Sequence, residues 1–204
     1  ADARNRIVEL VFDYPASKAE LQKMQQDVAE SLRAAEIYVR YCASETEKAA
    51  LLFTYLAERF PYQQGQTRTP VYSALCQGIA DSQSMAQSWQ LLCDEAGLTC
   101  QTVSGMRGSE SYWWNIMELD GVSCHVDILR DLLDHGTLRL RYDEDMAGEY
   151  YWDAAQLPAC PAPVIEEEPA QPTEEQPETP ADPAQDPDSQ PEQPDPEPEP
   201  EPEA

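Results

Sequence analysis

Tyr112-Trp113-Trp114-Asn115-Ile116-Met117-Glu118-Leu119-Asp120-Gly121-Val122-Ser123-Cys124-His125-Val126-Asp127 is the stretch on which the fold turns. Its flanks contain many aromatic and β-branched residues, and Asp120-Gly121 between them readily adopts the positive φ angles of a two-residue hairpin. The spacing predicts antiparallel strands near 112–119 and 122–129. A further strand-like run lies upstream near 100–104, so the three together make a small antiparallel sheet.

Helices precede that sheet. Ser17 with Glu20 has the spacing of a capping box, and Leu21, Met24, Val28 and Leu32 then recur at helical intervals. Ser44 with Glu47 repeats the signal. Leu52, Phe53, Leu56 and Phe60 follow as an apolar face that stops before Pro61, which predicts a second helix over 45–60. Met85, Trp89, Leu92, Cys93 and Ala96 form a third stripe, with Asp81 or Ser82 available to cap its start and Gly97 to close its end. Residues 7–14, Ile-Val-Glu-Leu-Val-Phe-Asp-Tyr, end at Pro15 and read as an N-terminal strand. The class is α+β, an N-terminal strand and helices packed on a small antiparallel sheet.

Composition divides the 204 residues into a domain, 1–160, and a tail, 161–204. Residues 158–204 hold 15 Asp or Glu and 15 Pro, with no Lys, Arg or aromatic residue. Such a segment buries too little apolar surface to offset its ordering entropy and is expected to be disordered and extended. Removing those 15 charges from the formal net charge of −26 leaves −11 for residues 1–157. That excess disfavours nucleic acid and anionic lipid as partners, since both are repelled. All 4 Trp, 10 Tyr and 3 Phe fall in 1–157, enough for one real core. No run is long and apolar enough to cross a bilayer. The missing initiator Met suggests a processed or excised chain, and with a removed signal the six cysteines would suit an oxidising compartment. Six buried reduced thiols are the equally weighted alternative.

The order of short motifs resembles that of a bacterial transglutaminase-like domain, of the papain-like superfamily. Tyr72-Ser73-Ala74-Leu75, Ser82-Gln83-Ser84-Met85-Ala86, Gly97-Leu98, Val103-Ser104-Gly105, Tyr112-Trp113-Trp114-Asn115 and His125-Val126-Asp127 stand in the family's order and spacing. The likeness covers roughly 45–160, including Tyr151-Trp152-Asp153 and Pro158-Ala159-Cys160. It implies a Cys-His-Asp site for acyl transfer, with the nucleophile at a helix start.

In that register Ser82 stands where the family has cysteine, Tyr112 where it has histidine, and Asp127 where it has the acid. Serine needs a base within hydrogen-bond reach more than a thiol does, and a tyrosine with an ordinary pKa of about 10 is protonated at neutral pH. Cys76, in Cys76-Gln77-Gly78, imitates the family's nucleophile motif but lies on the preceding segment and reads as a buried thiol or half of a disulfide. Asp127 is expected to bond the Tyr112 hydroxyl instead of an imidazole. His125, two residues before Asp127 on the same strand face, is the one residue that could restore a base. His135 beside Gly136 gives no metal pattern, and neither metal nor cofactor is expected.

Beyond Asp127 the family continues Val-Thr-Trp-Asp, whereas this chain has Ile128-Leu129-Arg130-Asp131. The expectation is a domain that has kept the fold without the chemistry. It would bind a protein or peptide on an extracytoplasmic bacterial protein, with Gln83, Trp113, Trp114 and His125 as candidate contacts. The alternative is an active acyltransferase or amide hydrolase using Ser82 or Cys76 with His125 and Asp127.

Overall fold

The computed structural model describes residues 12–134 and 136–163. The chain divides into Ala1–Val164 and Ile165–Ala204, and all described residues belong to the first unit. Most of the expected N-terminal strand, together with His135 and the tail from 164 on, lies outside the described residues. Residues 12–14 carry no regular structure, with Phe12 and Tyr14 exposed.

Helix α1, Lys18–Val39, opens with the capping box its sequence announces. The Ser17 hydroxyl accepts from the Glu20 amide at 3.3 Å, and a Glu20 carboxylate oxygen accepts from the Ser17 amide at 2.8 Å. The helix runs past Leu32 because Ala35 and Val39 extend the apolar stripe, and both are buried. Helix α2, Glu45–Arg59, is capped by Ser44 and also by Asp120, whose carboxylate accepts from the amides of Glu45 and Thr46. It ends where Phe60, just before Pro61, turns extended.

The segment between α2 and the third expected helix contains elements that its sequence does not signal. A two-residue strand β1, Gln63–Gln64, a short helix α3, Pro70–Cys76, and a second short strand β2, Ile79–Ala80, parallel to β1, fill it. Gly78 between α3 and β2 has φ +71°, and a Cβ there would meet the Phe60 Cβ at 2.6 Å. No other residue fits without displacing that side chain.

Helix α4, Ser82–Ala96, is capped by Asp81, which shares a capping box with Ser84. Of the two candidate caps it is Asp81 that serves, and Ser82 is the first helical residue. Gly97 closes the helix in the left-handed region at φ 71°. Trp89 and Leu92, at 0% exposure, anchor α4 in the larger core cluster, each contributing about 1.5–3 kcal/mol by removal from water.

Strands β3, Thr99–Arg107, β4, Glu110–Leu119, and β5, Val122–Val126, pair antiparallel. Asp120 and Gly121 take φ 51° and 82° between Leu119 and Val122, the hairpin that the Asp-Gly pair predicts. The third strand ends earlier than its apolar run suggests. Residues 128 and 129 begin helix α5, Ile128–Asp134, because Asp127 accepts from the Arg130 amide at 3.1 Å and so caps a helix.

The chain then forms a short helix α6, Asp143–Met146, and a strand β6, Tyr150–Tyr151, which pairs with β3 and completes the order β5-β4-β3-β6. A 3-10 turn, Ala154–Gln156, follows. One sheet face packs on α4, where the Asn115 amide donates to the Ala86 carbonyl at 3.0 Å and the Trp89 indole to the Met117 sulfur at 3.2 Å. A second core cluster gathers Val103, Trp114, Ile116, Met146, Tyr150 and Cys160, with Tyr112 and Trp152 against it. All six cysteines carry free thiols. No helix among the described residues is long and apolar enough to cross a membrane.

Candidate functional site

At the start of α4, the Asp81 carboxylate accepts from the Ser84 amide at 2.8 Å and the Ser84 hydroxyl from the Asp81 amide at 2.9 Å. The amides of Ser82 and Gln83 have no carbonyl a turn earlier in the helix to bond, as at any helix start. Ser82 is half-buried and Gln83 exposed. Among the described residues, the Ser82 side chain makes no hydrogen bond to Tyr112, His125 or Asp127.

Tyr112 and Asp127 do meet. The Tyr112 hydroxyl donates to Asp127 Oδ1 at 3.2 Å, and a second phenol, Tyr150, donates to Oδ2 at 2.7 Å. With the Arg130 amide on Oδ1, both carboxylate oxygens are occupied. Burial pushes the Asp127 carboxyl above its ordinary value, against the opposing hydrogen bonds from Tyr150, the Arg130 amide and Tyr112. Burial and the Asp127 charge together raise both tyrosine hydroxyls, which stay protonated.

Two arginines surround this group. Arg107 lies over the rings of Tyr112 and Tyr150, 5.3 and 5.7 Å from their centroids, and its Nε bonds Glu149 at 2.7 Å. Arg130 Nη1 reaches the other Glu149 oxygen and the Tyr150 hydroxyl, each at 3.0 Å. Arg130, at the position where the resemblance implies tryptophan, thus forms an ion pair with Glu149. Gly105, paired with Tyr112, leaves room for the Trp114 ring, since a Cβ there would lie 2.7 Å from it. Sequence reasoning missed Tyr150 and Glu149, whose only signal was their place beside the motif Tyr151-Trp152-Asp153.

His125 is held elsewhere. The Trp114 indole donates to His125 Nδ1 at 3.0 Å, and His125 Nε2 lies 3.0 Å from Asp143 Oδ1. An indole nitrogen can only donate, so Nδ1 carries no proton and Nε2–H donates to Asp143. The ring is fully buried, and desolvation lowers its pKa although Asp143 opposes this. Neither ring nitrogen is free to serve Ser82 or Cys76.

The donor atoms of His125, Asp143 and Cys160 lie within 4.8 Å of one another. A cation on Nε2 would force the proton onto Nδ1, where it would face the Trp114 N–H, and Asp143 Oδ2 already accepts from the Cys160 amide at 2.9 Å. A metal-bound histidine ordinarily donates from its other nitrogen. This trio does not fit a metal.

Cys76 ends α3 as a half-buried thiol whose pKa burial raises. Trp114, 1% exposed, packs edge-to-face on Tyr150 and Trp152. Trp114 and His125 are therefore closed to a ligand, while Gln83 and the half-buried Trp113 remain open to contact. A cavity of about 490 Å³ lies away from Tyr112, between Leu21, Met24 and Val28 of α1 and Pro70, Val71 and Tyr72 of α3.

The model of the Transglutaminase-like superfamily matches residues 27–128, half of the chain. No curated protein matches the sequence. Among solved structures, the chain is similar to a TGase at TM-score 0.43 and 11% identity, over 56% of this chain and 33% of that one. It is similar to a candidate cysteine protease from Cytophaga hutchinsonii at TM-score 0.43 and 10% identity, over 68% of this chain and 53% of that one. A candidate protease from Parabacteroides distasonis gives TM-score 0.37 and 15% identity, over 55% and 26%. The chain thus spans between about a quarter and about half of the length of these structures.

Proposed function

We propose that this chain, which belongs to the transglutaminase-like superfamily, is a catalytically inactive member that keeps the fold as a binding or scaffolding module. The observation that carries the reading is the pairing of Asp127 with the phenols of Tyr112 and Tyr150 in place of an imidazole. Catalysis from a serine needs a neighbouring base to take its proton, and a phenol whose pKa is raised cannot do so. The partner is a protein or peptide, approached through Gln83 in the first turn of α4 and Trp113 on β4. Nucleic acid is disfavoured by the negative charge of residues 1–157.

The same reading puts the module, residues 1–160, on an extracytoplasmic bacterial protein, with the acidic Pro-rich segment 161–204 as a spacer. The test rebuilds the site. Ser82→Cys, Tyr112→His and the double variant are assayed for thiol alkylation at neutral pH and for amide hydrolysis. Activity gained only by the double variant supports the reading. Amidase activity of the unaltered chain that disappears in Ser82→Ala overturns it.

A further inference from the structure

Two cysteines, Cys93 and Cys100, flank the turn at the far end of α4. The Gly97 turn is a Schellman closure in which the Leu98 amide donates to the Cys93 carbonyl at 2.8 Å, setting Leu98 beside the last turn of the helix. Cys100, two residues beyond Leu98 on the outgoing chain, turns to the same side, toward α4. Cys93 lies one turn after Trp89, whose indole reaches Met117, and Met117 is the β4 partner of Cys100. Cys93 belongs to the larger core cluster, and Cys100 packs against that cluster.

We infer that Cys93 and Cys100 form an oxidisable dithiol that closes into a disulfide stapling the end of α4 to β3. The competing pair within the sheet is ruled out by geometry. Cys100 and Cys124 flank Met117 from opposite sides, two strand spacings apart. That puts their Cα atoms about 9.6 Å apart, beyond the roughly 7 Å that a disulfide spans.

Cys93 is fully buried and Cys100 half-buried, so the accessible thiol acts first. With a low-molecular-weight disulfide such as oxidised glutathione, the Cys100 thiolate attacks one sulfur and expels a glutathione thiolate, leaving a mixed disulfide. The Cys93 thiolate then attacks the Cys100 sulfur and expels the second glutathione. Two protein S–H bonds are lost and one S–S bond forms. The oxidant's S–S bond is reduced, and the two protons end on its thiols. Burial raises the Cys93 pKa, which makes the second step the slow one.

The full chain is incubated with oxidised glutathione, its remaining thiols are alkylated, and it is digested with trypsin and a Glu-specific protease without reduction. Cleavage after Arg68, Glu95 and Arg107 separates the two cysteines, so closure is read as peptide 69–95 linked to 96–107. The link persists in Cys76→Ser, which removes the other thiol of peptide 69–95, and fragmentation of the unaltered chain places it on Cys93. Recovery of Cys93 and Cys100 both alkylated, a lasting glutathione adduct on Cys100, or a link from Cys100 to Cys76 or Cys124 overturns the proposal.

Discussion

The Trp114 indole nitrogen sits 3.0 Å from Nδ1 of His125, and because it can only donate, it holds that imidazole neutral with its proton on Nε2. A second proton would have to enter against the indole N–H. The ring is thus a fixed structural element between β4 and Asp143, not a movable base.

Stability should reflect this below neutral pH. Burial lowers the folded-state pKa of His125 from 6.5, so between the two values the unfolded chain binds more protons. Stability therefore falls as pH drops through about 6.5 and levels off below the folded-state value. Asp127, shifted the other way, contributes stability at low pH that is lost as pH rises, so the comparison is made between variants. His125→Gln, which can still accept from Trp114 and donate to Asp143, should show a smaller loss of thermal midpoint between pH 7.5 and 5.5 than the unaltered chain. Equal losses would remove His125 as the cause.

At Asp127, substitution acts on the fold. Asp127→Ala strips the cap of α5 and leaves the hydroxyls of Tyr112 and Tyr150 without their acceptor. A loss of about 2–4 kcal/mol in urea unfolding is expected, against about 1 kcal/mol for Tyr112→Phe, which removes a single bond. A neutral Asp127→Ala would show the carboxylate to be structurally idle.

The Gly105 site tests the fit between strand and ring. A methyl there meets the Trp114 ring and the Tyr151 carbonyl oxygen, so either the indole or β6 must move. Gly105→Ala should cost roughly 1–3 kcal/mol and shift tryptophan fluorescence to longer wavelength. Retention of both the stability and the spectrum would mean that the β3–β6 edge yields freely.

Asp120 performs two tasks that substitutions can separate. Its backbone takes φ 51° in the hairpin, while its carboxylate accepts from the Glu45 and Thr46 amides and, at 2.7 Å, from the Thr46 hydroxyl. Asp120→Gly keeps the turn and loses the cap, whereas Asp120→Ala loses the cap and strains the turn as well. Thermal midpoints should fall in the order unaltered, Gly, Ala. A Gly variant as stable as the parent would assign the cap no weight.

The elements legible in the sequence are those fixed by local chemistry. Ser17 with Glu20, Gly97, and Asp120 with Gly121 each satisfy or turn the backbone within a few residues, and each does so in the fold. Short segments whose local pattern suits two states, or whose partners lie far along the chain, were not legible. Ile128 and Leu129 extend an apolar run that suits strand or helix equally, and the Asp127 cap decides for helix. Nothing near His125 announces that Asp143 completes its bonding, or that Tyr150 rather than an imidazole shares Asp127 with Tyr112.

The clasp of Asp120 on α2 joins residues 75 positions apart, and this bears on the order in which the chain assembles. The hairpin forms from adjacent residues on a microsecond scale, whereas the clasp waits until the chain between Glu45 and Asp120 has been brought together. Contacts made that late are broken first on the way out. Weakening this one should quicken unfolding and leave the folding limb of the chevron nearly unchanged.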